Sequence, residues 1–234
     1  LNIMNGKKNI LITGGNRGIG FGLLKILSDK HNVIITVRDN EKGKNALSRL
    51  VHSKNEVSYV VMDVNNPNSV ISAVNDIVKI FDNIDLLINN AGILIKEYDL
   101  PAIETSEESI LKTFNTNTLG VLRVCKSITP MMNNGGRIIN ISSGMGQLDD
   151  MEGGSTAYRL SKTALNALTK ILSRELLPKG IKVNTICPGW VQTDMGGQNA
   201  TLTVQESASK IVDFALKDNF PNGKFLRHGE IIPW

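Results

Sequence analysis

Short runs of branched apolar residues recur along the chain, each closed by glycine, asparagine or aspartate, and longer stretches between them repeat their apolar positions at helical spacing. The runs Asn9–Thr13, Asn32–Val37, Glu56–Met62 and Asp85–Ile88 read as the first four strands. Gly135–Ile141 and Ile181–Ile186 follow, and Lys224–Leu226 is the last before a Gly229–Trp234 tail. Helices are expected after the glycine-rich turn at Gly14–Gly20, over Lys42–Val51, over Pro67–Phe81 and from Thr201 to Leu216. Ser106–Met132 reads as one long or broken helical region, interrupted at Asn117–Gly120 because an asparagine amide competes for backbone groups. A further helix opens near Ser155 and carries Leu160, Ala164, Leu165, Leu168, Ile171 and Leu172 at helical intervals. Strand alternating with helix at this rhythm implies a doubly wound parallel α/β sheet of about seven strands with helices on both faces. No repeat, low-complexity segment or linker divides the chain, so residues 1–234 are read as a single domain.

Most of the chemistry-bearing residues fall where such a sheet would present them, at the carboxyl ends of its strands. The first strand runs straight into Gly14-Gly-Asn16-Arg17-Gly18-Ile19-Gly20 and then a helix, an arrangement in which free backbone N–H groups attract a phosphate. In a dinucleotide-binding fold the second strand ends at the adenosine ribose, where a carboxylate would hold a free 2′-hydroxyl and a guanidinium a 2′-phosphate. Val37 and Arg38 stand there, with Arg17 in reach, which favours NADP over NAD; Asp39 would reverse this if the strand ended one residue later. Asp63 and Val64 follow the third strand, Asn89-Asn90-Ala91-Gly92 the fourth, and Ser142 and Ser143 the fifth. On the helix after the fifth strand, Tyr158 and Lys162 are four apart and share a face. A cation near a phenol of ordinary pKa about 10 favours the phenolate, and a shift of roughly three units needs about 4 kcal/mol. One close charge at an effective dielectric of ~20 supplies that much.

Composition removes other classes. The net charge of +4 is scattered, with no basic stripe interleaved with aromatics, which argues against nucleic-acid binding. Cys125 and Cys187 are the two cysteines, they lack C-x-x-C spacing, and both lie in apolar runs, as expected of reduced, buried thiols in a cytoplasmic setting. No apolar run approaches the ~18 residues of a membrane span, and the N-terminal stretch has no signal-peptide core. No H-E-x-x-H or Cys/His cluster suggests a metal, and no G-x-S-x-G elbow suggests a serine hydrolase. His31, His52 and His228 read as surface or loop residues.

The set of motifs resembles the short-chain dehydrogenase/reductase family over nearly the whole chain. The pieces are T-G-x-x-x-G-x-G at Thr13–Gly20, N-N-A-G at Asn89–Gly92, Asn117, Ser143, Y-x-x-x-K at Tyr158–Lys162, and Pro188-Gly189 with Thr193. Cys187-Pro-Gly-Trp-Val-Gln-Thr-Asp-Met195 is similar to the carbonyl-reductase-like branch, which typically uses NADPH. The resemblance implies a Rossmann-type domain in which Tyr158 is the general acid of carbonyl reduction, its pKa lowered by Lys162 and by the oxidised nicotinamide. Lys162 would also hold the nicotinamide ribose, Ser143 the substrate oxygen, and Asn117 a water of the proton relay. Gly14, Asn16, Arg17, Gly18, Ile19 and Gly20 would cradle the phosphates; Arg38, Asp63 and Val64 would meet the adenosine. Asn90, Ala91 and Gly92 would lie along the cofactor, with Pro188, Gly189, Val191 and Thr193 at the nicotinamide. The substrate would be a small carbonyl compound or alcohol.

Tyr158 follows Ser143 by 15 positions, more than the family usually shows, so Gln147–Gly154 is expected to form an enlarged loop near the substrate. Relatives commonly associate through the Tyr158 helix and its preceding neighbour, which leaves a homo-oligomer open, with that loop able to obstruct the contact. The competing reading is a dinucleotide-binding sensor or scaffold without turnover, which would not need a Ser–Tyr–Lys–Asn set.

Overall fold

The computed structural model describes residues 6–50, 55–97 and 100–234. It contains one sheet, with strands β1 (Asn9–Thr13), β2 (Asn32–Val37), β3 (Val57–Val61), β4 (Ile84–Asn89), β5 (Met132–Ile141), β6 (Lys182–Cys187), β7 (Phe225–Arg227) and β8 (Glu230–Ile231). Their order is β3-β2-β1-β4-β5-β6-β7-β8, and all neighbouring pairs are parallel except β7–β8. The eighth strand, a two-residue antiparallel edge, lies in what the sequence shows only as a tail. It is too short to carry a periodic signal.

Alternation in β1 shows how the sheet is covered. Ile10 and Ile12 join one apolar layer with Leu23, Leu24 and Leu27 of helix α1 (Gly18–Leu27) and Ile211 and Phe214 of α7 (Val204–Leu216). Leu11, between them, joins the other layer with Val70 and Ile77 of α3 (Pro67–Ile77), Val124 of α5 (Gly120–Ile128) and Leu165 of α6 (Thr156–Glu175). Successive residues of a strand point to opposite faces, so a sheet apolar on both sides needs helices on both.

Among the boundaries that differ from the sequence reading, three in the helices have a clear local reason. Helix α2 (Asn40–Ser48) starts earlier than expected because Asp39 caps it, accepting from Lys42 N at 2.9 Å; Val51 lies outside the described residues. Helix α3 stops at Ile77, and Phe81 closes a following turn through its N–H to Ile77 O. The segment expected to be helical to Met132 is instead α4 (Glu107–Phe114), a π-helical turn at Asn115–Leu119, and α5, after which Pro130 sits in a short 3-10 turn. Proline has no N–H to continue the helix, and β5 begins at Met132 rather than Gly135. The distortion expected around Asn117 is the π turn.

Candidate active site

At the switch point between β1 and β4, a cavity of ≈ 390 Å³ opens along the carboxyl ends of the strands. Its floor is the glycine turn, where Gly14 (φ 68°) and Gly18 (φ 53°) take left-handed backbone that favours glycine. Gly20 lies beneath: a Cβ there would stand 2.3 Å from Gly14 O and 2.6 Å from Asn90 Nδ2, so helix α1 can meet the turn only without a side chain. The turn is locked to β4, since Asn90 N and Ala91 N both donate to Thr13 Oγ1 at 3.0 Å and Asn90 Nδ2 donates to the carbonyls of Thr13 and Gly14.

Along the cavity wall stand Asn16, Arg17, Ile19, Arg38, Asp63, Val64, Asn90, Ala91, Gly92, Tyr158, Lys162, Pro188 and Thr193, together with the two left-handed glycines. Asp39, the residue that could have reversed the cofactor reading, is turned into α2 as its cap and pairs with Lys42, while Arg38 faces the cavity. Four of the expected cofactor and catalytic positions, besides Gly20, are not in the wall. Gly189 (φ 83°) packs against Leu202 and His228, and Val191 is buried in a bridge to Leu202. Asn117 and Ser143 are the other two, and both touch wall residues or their neighbours.

Helix α6 places Tyr158 and Lys162. It starts from Ser155, whose φ of 48° is left-handed, and whose N–H donates to Glu97 O at 3.2 Å. Both side chains are buried, and Lys162 Nζ lies 5.6 Å from the centre of the Tyr158 ring. Nζ donates to Ile141 O at 2.8 Å, which aims the ammonium along the end of β5. Burial pushes the Tyr158 phenol up to about 12, against an opposing pull from the Ser143 hydroxyl beside it. Burial also pushes Lys162 down to about 8. The lowering expected from Lys162 together with an oxidised nicotinamide is not a property of the protein by itself: burial raises the phenol, and Lys162 is not among the causes of its shift. The result is a phenol fully protonated at neutral pH, the form that can donate a proton.

Ser142, not Ser143, lines the cavity wall, but the two hydroxyls are engaged differently. Ser142 is buried and donates to Asn166 Oδ1 at 2.7 Å, so its hydroxyl is committed to α6. Ser143 caps the turn Gly144–Gly146, accepts from Met145 N at 3.1 Å, and is the one that reaches Tyr158. Asn117 is wholly buried: Oδ1 accepts from Ile93 N at 2.8 Å, and Nδ2 donates to Ile93 O at 2.9 Å and to Ser161 Oγ at 3.0 Å. Its side chain is thus a brace between the chain after β4 and α6. Gly92 leaves the space between Asn117 and Lys162, where a Cβ would come within 3.2 Å of Asn117 Oδ1 and 3.7 Å of Lys162 Nζ.

The segment after β6 closes the site. Met195 Sδ is 4.0 Å from the Tyr158 hydroxyl, and Asp194 pairs with Arg17. Neither was assigned a role from sequence, although both end the Cys187–Met195 stretch that carries the resemblance. Gln147–Gly154 is tied down at both ends: Arg227 Nη2 donates to Gln147 Oε1 at 3.2 Å, Leu148 N and Asp149 N donate to Trp234 O, and Arg159 Nε donates to Gly154 O. Cys125 and Cys187 are free and buried; Cys187 Sγ accepts from Gly144 N at 3.1 Å. His31, expected at the surface or in a loop, is in a loop but buried, and Nδ1 accepts from Lys8 N. His228 is in an exposed turn, and His52 lies outside the described residues. Among the described residues no His/Cys/Asp/Glu group could hold a metal ion, and no helix is long and apolar enough to cross a membrane.

Residues 8–202 match the family model described as short chain dehydrogenase. The chain belongs to the short-chain dehydrogenase family. It is 29% identical to mouse carbonyl reductase [NADPH] 1, covering 96% of this chain and 97% of that protein. That alignment runs over 272 positions against the 234 residues of this chain, so the mouse protein carries residues absent here. The 3-oxoacyl-[acyl-carrier-protein] reductase FabG of Chlamydia trachomatis is 35% identical over 80% of this chain and 75% of its own length. Among solved structures, carbonyl reductase Sniffer of D. melanogaster superposes with a TM-score of 0.87 at 33% identity, covering 97% of this chain and 100% of the other. The NADPH-bound carbonyl reductase from chicken fatty liver does so with 0.87 at 31%, covering 98% and 100%. Membership makes this short-chain dehydrogenase an NAD(P)-dependent oxidoreductase, and its relatives include both carbonyl reductases and 3-oxoacyl reductases.

Proposed function

We propose that this short-chain dehydrogenase reduces a small carbonyl compound to the alcohol with NADPH, using Tyr158 as the proton donor. The observation that carries the reading is the meeting of Tyr158, Lys162 and the glycine turn in one cavity. The residues fit the cofactor: left-handed Gly14 and Gly18 and the start of α1 suit a pyrophosphate, and Gly92 leaves room beside Lys162 that a Cβ would fill. Bound NADPH supplies the hydride. Tyr158, protonated at neutral pH, gives its proton to the carbonyl oxygen as that oxygen gains negative charge. Ser143 donates a second hydrogen bond to the same oxygen, and Lys162 holds the nicotinamide ribose. Relay of a replacement proton runs past Lys162 and the widened backbone at Asn115–Leu119, where Asn117 would seat the water while its side chain fixes the turn. Arg38 and Arg17 at the cavity wall support a 2′-phosphate, as do the NADPH-named relatives. Residues 1–234 act as one unit holding both cofactor and catalytic groups, and two buried free thiols suit a reducing cytoplasm.

The test is NADPH oxidation with a panel of aldehydes and ketones. Arg38→Ala should weaken NADPH much more than NADH. Equal losses for the two cofactors contradict 2′-phosphate recognition, and cofactor binding without turnover on any of the panel favours a sensor.

A further inference from the structure

The ion pair between Arg17 and Asp194 joins two parts of the cavity that sequence separates by 177 positions: the glycine turn and the segment after β6. A second contact lies beside it, since a Cβ on Gly18 would come within 3.3 Å of Thr193 Cγ2. The segment itself is stiffened from within. Trp190 Nε1 donates to Gly196 O at 2.7 Å, and Thr193 Oγ1 accepts from Gly196 N at 3.0 Å. Asp194 is therefore not on a loose loop, and its neighbour Met195 is the residue whose sulfur lies against the Tyr158 hydroxyl. Whatever shifts Asp194 shifts Met195.

Arg17 Nη1 cannot serve the Asp194 carboxylate and a phosphate at once, and the carboxylate's charge offsets the guanidinium's pull on a second anion. We propose that Asp194 is a specificity-determining counter-ion that competes with the cofactor's 2′-phosphate for Arg17, so that NADP(H) binding, unlike NAD(H) binding, frees the Trp190–Gly196 segment and draws Met195 off Tyr158. The inference rests on the NADPH reading above. Both partners are well exposed, at 63% and 76%, so the tie is weak enough to exchange. A strong buried pair would not yield to a ligand; this one does.

Asp194→Asn keeps the shape and removes the charge. Binding of NADPH and of NADH is titrated on the wild type, on Asp194→Asn and on Asp194→Glu. The expected result is NADPH bound roughly two- to five-fold tighter by Asp194→Asn, the range an exposed ion pair supports, with NADH affinity unchanged and Asp194→Glu like the wild type. With NADH as reductant, Asp194→Asn should also lower the carbonyl KM by a similar factor, because Met195 is already untied. A wild type that prefers NADPH, combined with an unchanged NADPH-to-NADH ratio in Asp194→Asn, overturns this inference and leaves the proposed function standing. A wild type with no preference for NADPH overturns the cofactor reading and this inference with it. Should the ratio move as expected while the carbonyl KM does not, the coupling to Met195 is refuted.

Discussion

Lys162 shows how far the site departs from what stability alone would choose. It is 5% exposed with its pKa pushed down to about 8, so the unfolded chain holds more protons than the folded one between about pH 8 and the ordinary lysine value. Stability therefore rises with pH across that window, and below it the burial of the ammonium costs about 3 kcal/mol at most. Lys162→Met should raise the unfolding free energy at pH 7 by roughly 1–3 kcal/mol while removing activity, and the gain should shrink toward pH 10; denaturant titrations at both pH values check this. The same ionisation predicts a decline in the reductase kcat/KM as pH rises through about 8, whereas a profile flat to pH 10 would mean the ammonium is not needed. The pairing of Tyr158 with Lys162 is legible in sequence as a four-residue spacing, but the sign of the phenol's shift is not. Spacing reports the neighbour and says nothing of how deeply both are buried.

At the scale of elements, the π turn at Asn115–Leu119 and the glycine turn are the two pieces whose geometry the site cannot lose. Asn117→Ala would leave Ile93 N and Ile93 O without their partner inside the protein, a loss on the order of 2–4 kcal/mol together with a drop in turnover; thermal unfolding and kcat measure the two. Gly20→Ala drives a methyl into the Gly14 carbonyl and the Asn90 amide, so cofactor affinity and stability should fall together, the latter by about 1–3 kcal/mol. Asparagine in a helical stretch announces the distortion, and glycines between strand and helix announce the turn. The three boundary differences were less visible, because Asp39, Ile77 and Pro130 act through caps and turns that carry no periodicity. Met195 and Asp194 carry no sequence signal for a different reason. Their importance lies in contacts to Tyr158 and Arg17 across the molecule, which no local pattern encodes.

Over the whole molecule, a sheet in which most neighbours are parallel brings the ends of β1, β2, β4, β5 and β6 to one edge, and each end contributes a residue to the same cavity wall. That convergence was legible from strand order and spacing, since parallel winding puts every strand's carboxyl end on one side. The identity of the substrate was not, because cavity residues after β6 such as Asp194 and Met195 are placed by contacts to distant residues, Arg17 and Tyr158. In the proposed reaction this edge holds a proton donor beside a hydride source. NADPH oxidation with a panel of aldehydes and ketones, run on the wild type and on Tyr158→Phe, tests it most directly. The expected result is turnover by the wild type and a fall of roughly 10²–10⁴-fold in the variant, with NADPH still bound. Full activity in Tyr158→Phe would contradict it.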